Sequence, residues 1–189
     1  GDGGLALFNG ANEGEAWLVD VILTKAESHG KPLTSAPHTG FERCIASRTL
    51  LIADCGAPSS VGKGAHAGTL SFEMSVGKQR IIVNCGGFSG RDERWKLAQR
   101  STAAHSTMIV DDRNSTKLLS NGTTGERPEI VMVERLEADG NTWLDLSHDG
   151  YQLPLGLTHR RRIYVNSSGT DVRGGDTLKG MGEHRFAIR

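Results

Sequence analysis

The sequence lacks an excess of charge of either sign. Its 22 Lys and Arg balance 22 Asp and Glu, for a formal net charge of zero. Nucleic-acid binding draws on a basic surface that neutralises phosphates, so this balance argues against a nucleic-acid partner. A long apolar run is also missing. No stretch approaches the ~20 residues of a membrane-spanning helix, so no membrane span is expected. Cysteine is scarce: Cys44, Cys55 and Cys85 are too few for a disulfide scaffold. One pair plus a free thiol, or three buried thiols, remain open. There is no initiator Met, and no charged segment followed by an apolar one, so no signal peptide is read. The chain opens on Gly-Asp-Gly-Gly and closes on the strand-like Arg185-Phe186-Ala187-Ile188-Arg189, as expected of an excised fragment. A phosphate-binding Gly loop, a nucleophile elbow, a calcium loop and a compact His-x-x-x-His or Cys-x-x-Cys pattern are all absent.

Glycine, by contrast, is plentiful. The 25 glycines among 189 residues are nearly twice the usual ~7%, so the chain turns often. Glu13 to His29 has a helical pattern, with Trp17, Val21, Leu18 and Ile22 in step and Gly30 and Pro32 as stops. A turn-rich linker, Lys31 to Gly40, follows. From Phe41 the period becomes two. Strands are expected at 41–46, 48–55, 70–74, 80–85, 105–111, 129–136, 141–148, 157–165 and 176–180. A short crossover helix anchored by Trp95 is expected at 92–99. Many short strands at this spacing predict an all-β, antiparallel sandwich with one N-terminal and one crossover helix. Residues 1–40 read as a leading segment and 41–189 as the sandwich, cut at its C-terminal end.

The chemistry-bearing residues fall in four phrases. His66 shares an alternating face with Leu70, Phe72 and Met74 if that strand extends back to it, and so points inward. His105 stands at another strand start, after Arg100-Ser101-Thr102. His66, Asn84 and His105 lie on three successive strand candidates, where imidazoles could converge on zinc. Two hydrogen-bonded core histidines are the plain alternative. His148 and Tyr151, three residues apart, suit an acid/base pair or a simple turn around Asp149-Gly150. In His159-Arg160-Arg161-Arg162, alternation sends Arg161 inward with Ile163 and Val165. Arg160 and Arg162 face outward, to grip a carboxylate or sulfate or merely to meet solvent. Cys85 must point away from Asn84, and reads as a buried structural thiol.

Taken in order, these phrases resemble the heparinase II/III-like family of polysaccharide lyases. His66-Ala67-Gly68-Thr69-Leu70-Ser71-Phe72-Glu73 is similar to the second half of the family's His-x-His-x-Asp-x-Leu-Ser-Phe strand. Val83-Asn84-Cys85-Gly86 resembles a hydrophobic-Asp-x-Gly turn, and Ala104-His105-Ser106-Thr107 a His-Asn-Thr phrase. The resemblance runs from about Phe41 to Lys179. It implies a large supersandwich-like β-sandwich that follows an α/α toroid, with the toroid missing from this chain. It implies a metal, usually zinc, at His66, His105 and Asn84. It also implies β-elimination on an acidic, uronate-containing polysaccharide, in a protein of the periplasm or cell envelope. His66, His148 and Tyr151 would then be catalytic candidates, and His159, Arg160 and Arg100 substrate-binding ones. With the toroid absent, the fragment is expected to lack independent catalysis. A noncatalytic carbohydrate-binding or structural module is the alternative. Three positions depart from the family pattern: Gly64 replaces the first histidine, Gly68 the aspartate of that strand, and Asn84 the aspartate of the turn.

Overall fold

The computed structural model describes residues 2–26, 32–61 and 63–189. Helix α1 spans Ala16–Lys25 and buries none of its residues. It starts three residues after the expected Glu13; residues 27–29 of the expected helix and its stop at Gly30 lie outside the described residues, as does the start of the linker at Lys31.

Strands β1 (Ser35–Ala36), β2 (Phe41–Ala46), β3 (Thr49–Asp54), β4 (Phe72–Val76) and β5 (Gln79–Ile82) form one antiparallel sheet in chain order. Pairing of β1 with β2 carries the sheet back across the expected boundary at residue 40. Helix α2 (Glu93–Arg100) follows, capped by Asp92, whose carboxylate accepts from the Arg94 N–H at 2.9 Å. Trp95 does not anchor it. The indole is exposed, and Arg100 is the buried residue of that helix. Strand β6 is only Met108–Val110, three residues shorter at its start than the expected 105–111, and a 3-10 turn at Thr102–Ala104 leads into His105.

The second sheet contains β7 (Val131–Ala138), β8 (Asn141–Tyr151), β9 (Leu157–Val165) and β10 (Val172–Lys179), ordered β10-β9-β8-β7 and antiparallel throughout. One helical turn, α3 (Gln152–Leu155), joins β8 to β9. Strand β11 (Phe186–Ile188) pairs with β6. The two large sheets meet over Cys44, Leu51, Ala53 and Leu70 on one side and Leu144, Leu146, Ile163 and Val165 on the other. Leu51, Leu70 and Leu146 are fully buried, and each such side chain contributes about 1.5–3 kcal/mol relative to exposure. The result is the expected all-β antiparallel sandwich.

Candidate functional site

The inward path of His66 comes from a loop, not a strand. Strand β4 begins at Phe72, and Leu70 turns the chain at φ +63°. The Ala67 N–H donates to the Arg100 carbonyl at 2.8 Å and the Leu70 N–H to that of Asp54 at 2.7 Å. These bonds fix the loop and bury His66. His105 leaves the 3-10 turn, which is held by a 2.9 Å bond from the Thr102 N–H to Asn114 Oδ1. Nδ1 of His105 donates to the Ser101 carbonyl at 2.7 Å, so its Nε2 accepts the Nδ1–H of His66 at 3.0 Å. The rings are T-shaped, 5.1 Å apart at their centroids. Burial lowers both imidazole pKa values, that of His66 to about 4 with help from the neighbouring His105. Gly68 is required here. A Cβ at that position would lie 2.7 Å from the His105 ring.

Asn84 is buried beside this turn. Its Oδ1 accepts the Ser106 N–H at 3.2 Å, while its Nδ2 has no partner among the described residues. Cys85 is not the buried thiol expected: it is exposed, its Sγ donates to the Gln99 carbonyl at 3.3 Å, and Cys44 and Cys55 are the buried thiols. Strand β5 ends at Ile82, so Asn84 and Cys85 lie beyond the strand on which their opposite facing was expected.

A second imidazole pair sits within the other sheet. His148 and His159 face each other across β8 and β9, with Nε2 and Nδ1 3.1 Å apart. The Gly150 N–H donates to His148 Nδ1 at 3.0 Å, and His159 Nε2 meets Asp176 Oδ1 at 2.7 Å. Asp176 also receives Arg161 through two bonds of 2.8 and 2.9 Å. Burial pushes the Asp176 pKa up, but the bonds from His159 and Arg161 outweigh it and hold it at about 2. Arg161 then donates to the carbonyls of Leu70 and Ser106 at 2.8 and 2.6 Å. One buried polar chain therefore runs from the second sheet to the loops bearing His66 and His105.

Sequence reasoning places Arg161 inward but misses its partner Asp176. It also misses Asp54. That carboxylate is buried, accepts from Asn9 Nδ2 at 3.1 Å and from the Gly56 N–H at 3.2 Å, and has its pKa raised to about 6 by burial. Asp54 and His66 lie at the base of one depression, with Lys63 and Gly64 also on its wall. Gly10 packs against the imidazole: a Cβ there would stand 3.0 Å from His66 Nε2.

The remaining candidates do not join this depression. Tyr151 is fully buried, its hydroxyl donating to the Met108 carbonyl at 2.8 Å. It makes no hydrogen bond to His148, so the expected acid/base pair is not formed. His159 is likewise enclosed. Arg100 is largely buried, and its Nε donates to the Ala65 carbonyl at 2.9 Å. Arg160 faces outward as expected, but its Nε and Nη2 both donate to Asp145.

Zinc requires three or four strong ligands. Among the described residues no three His, Cys, Asp or Glu side chains converge. His66 and His105 already share a hydrogen bond, and Asn84 is a neutral amide whose oxygen is taken by Ser106. This donor set does not fit a zinc site.

The profile of the heparinase II/III-like C-terminal domain matches residues 28–189. The chain belongs to the heparinase II/III-like family. FtsZ-localized protein C of Caulobacter vibrioides is 31% identical over 191 residues, which cover 94% of this chain and 32% of that protein. A heparan sulfate lyase HepC mutant from Pedobacter heparinus superimposes with a TM-score of 0.72 at 15% identity, over 99% of this chain and 31% of that one. A heparinase III gene product superimposes at 0.69 with 17% identity, over 98% of this chain and 31% of that one. The chain thus spans about a third of the length of these relatives, and the two structures confirm the fold. In this heparinase II/III-like domain, a polysaccharide lyase-like module, the depression beside His66 is bordered by Gly64, where the family pattern has a histidine.

Proposed function

We propose that this domain forms one wall of a cleft for acidic polysaccharide, and that it does not itself perform β-elimination. The reading rests on one observation: the chemistry-bearing imidazoles are bonded to each other in two buried pairs. Elimination needs a base beside the sugar carboxylate, an acid at the leaving oxygen and a group that stabilises the enolate-like intermediate. His148, Tyr151 and His159 are enclosed in the sandwich, and Gly64 contributes no side chain to the depression. What the depression offers is the Lys63 cation at its rim and hydrogen-bonding groups at Asn9 and Asp54. His66 and His105 serve as a hydrogen-bonded node that holds the wall in shape. The proton transfers belong to a toroid joined to this domain in the full protein.

A second reading is favoured by the Caulobacter relative, whose name describes a protein localised with FtsZ rather than a lyase. In that reading the parent is noncatalytic, and the domain binds glycan or braces a neighbour. The experiment is a titration of the chain with heparan-type and alginate-type oligouronates. Saturable binding that Lys63→Ala weakens supports the cleft wall. Absence of binding to these uronates, or binding that Lys63→Ala leaves unchanged, overturns it.

A further inference from the structure

The outer face of the second sheet carries a feature that the depression does not explain. Strand register aligns Leu136, Trp143, Tyr164 and Arg173 in one row across four strands. Trp143 and Tyr164 pack with ring centroids 5.1 Å apart, and the Arg173 guanidinium lies 5.9 Å over the Tyr164 ring. Arg173 is in turn held by Asp171. The aromatic pair is thus braced from one side. On the other side Trp143 remains 37% exposed and Leu136 62% exposed.

The adjoining row is Glu134, Asp145, Arg162 and Gly175. Asp145 is neutralised by the two-pronged grip of Arg160. Glu134 lies two strands from Arg162, on the far side of Asp145. Arg162 is exposed and has neither ion pair nor hydrogen bond from its side chain among the described residues. Gly175 beside it leaves open space, with nothing within 4 Å of where a Cβ would stand. Adjacent strands are ~4.8 Å apart, so the platform from Leu136 to Arg162 is roughly as long as two sugar rings.

We propose that this platform is a second glycan-binding site, which takes a pyranose bearing a carboxylate. The apolar face of the ring stacks on Trp143 and Leu136. The carboxylate enters the notch at Gly175 and meets the Arg162 guanidinium, whose planar fork matches it. The platform shares no residue with the depression beside His66, so the two sites fail or hold separately.

The test uses the 189-residue chain, a tetragalacturonate and its uncharged counterpart, tetragalactose. Nitrogen-15 NMR distinguishes the indole of Trp143 from those of Trp17 and Trp95. The Trp143 indole should shift on titration with the tetrauronate, and Trp143→Ala should weaken that binding about ten-fold or more. Arg162→Ala should lower affinity for the tetrauronate and leave tetragalactose unaffected. Arg162→Lys, which keeps the charge without the fork, should recover only part of the loss. An unmoved Trp143 signal up to about 10 mM tetrauronate overturns the proposal, even if Lys63 and His66 respond. Equal affinity for the two sugars overturns it as well.

Discussion

Nε2 of His148 lies 3.1 Å from Nδ1 of His159, and the outer nitrogen of each ring is fixed by a partner of known polarity. The Gly150 N–H can only donate, so His148 Nδ1 accepts and its proton sits on Nε2. His159 Nδ1 must then accept, and its own Nε2–H goes to Asp176. The first pair runs the opposite way. The Ser101 carbonyl can only accept, so His105 is protonated on Nδ1, and His66 donates from Nδ1 as well. Long-range proton–nitrogen correlation spectra should therefore show Nε2–H tautomers for His148 and His159 and Nδ1–H tautomers for His66 and His105. A mixed assignment within either pair would break the corresponding chain of bonds.

Asp176 should be the costliest carboxylate to neutralise. Asp176→Asn leaves Arg161 as an uncompensated buried charge, which typically costs about 3–5 kcal/mol. The exposed pair of Asp171 and Arg173 provides the control, and its loss should cost roughly 0–1 kcal/mol. Urea denaturation of the two variants checks the contrast.

Stability should fall on acidification from pH 6.5 towards 4. The folded pKa values of His66, His105 and His148 are all depressed by burial, that of His66 to about 4. Between about 4 and 6.5 the unfolded chain therefore binds more protons at these sites, so their contribution is present above 6.5 and lost as pH falls. Each fully coupled group contributes a slope of about 1.4 kcal/mol per pH unit. Asp54 opposes them. Its folded pKa is raised to about 6, so the folded state holds its proton more tightly between about 3.8 and 6. His184, raised by its bond to Asp111, takes up its proton above this window and so adds no slope within it. Asp54→Asn should stabilise the protein at pH 7.5, where the buried charge is removed, and steepen its acid loss. Thermal melts across this range test both signs.

Gly68→Asp should destabilise the fold, by about 1–3 kcal/mol, because the new side chain drives into the His105 ring. Asn84→Asp acts on the donor set instead. It replaces the unpartnered Nδ2 with a carboxylate oxygen in the side chain that already accepts from Ser106, the residue after His105. One equivalent of zinc should raise the melting temperature of Asn84→Asp and leave the parent sequence unchanged. A zinc-dependent rise in the parent sequence would contradict the hydrogen-bonded reading of His66 and His105.

The alternation of β2 and β9 made the sandwich legible, because one face of each strand packs against the opposite sheet while the other meets solvent. The same rule sent Arg161 inward. A buried cation requires a carboxylate on a neighbouring strand, and the Asp176 of the adjacent strand candidate is the signal that went unread. His66 was placed inward for the wrong reason: a loop positions it, and positive φ at Leu70 leaves no periodic trace. Tyr151 and His148 lie three residues apart in sequence, but an irregularity between them in the β8–β9 pairing lets each find a separate partner. Asp54 carries no signal in its own strand, because its buried carboxylate is met by Asn9, far away in the chain.

The most direct measurement is an ultraviolet assay for unsaturated uronate, run on this chain beside its full-length parent with oligouronate binding verified for both. The account predicts that the chain binds and releases no unsaturated product, so that any turnover appears only in the parent. Steady release of unsaturated uronate by the chain alone would contradict it.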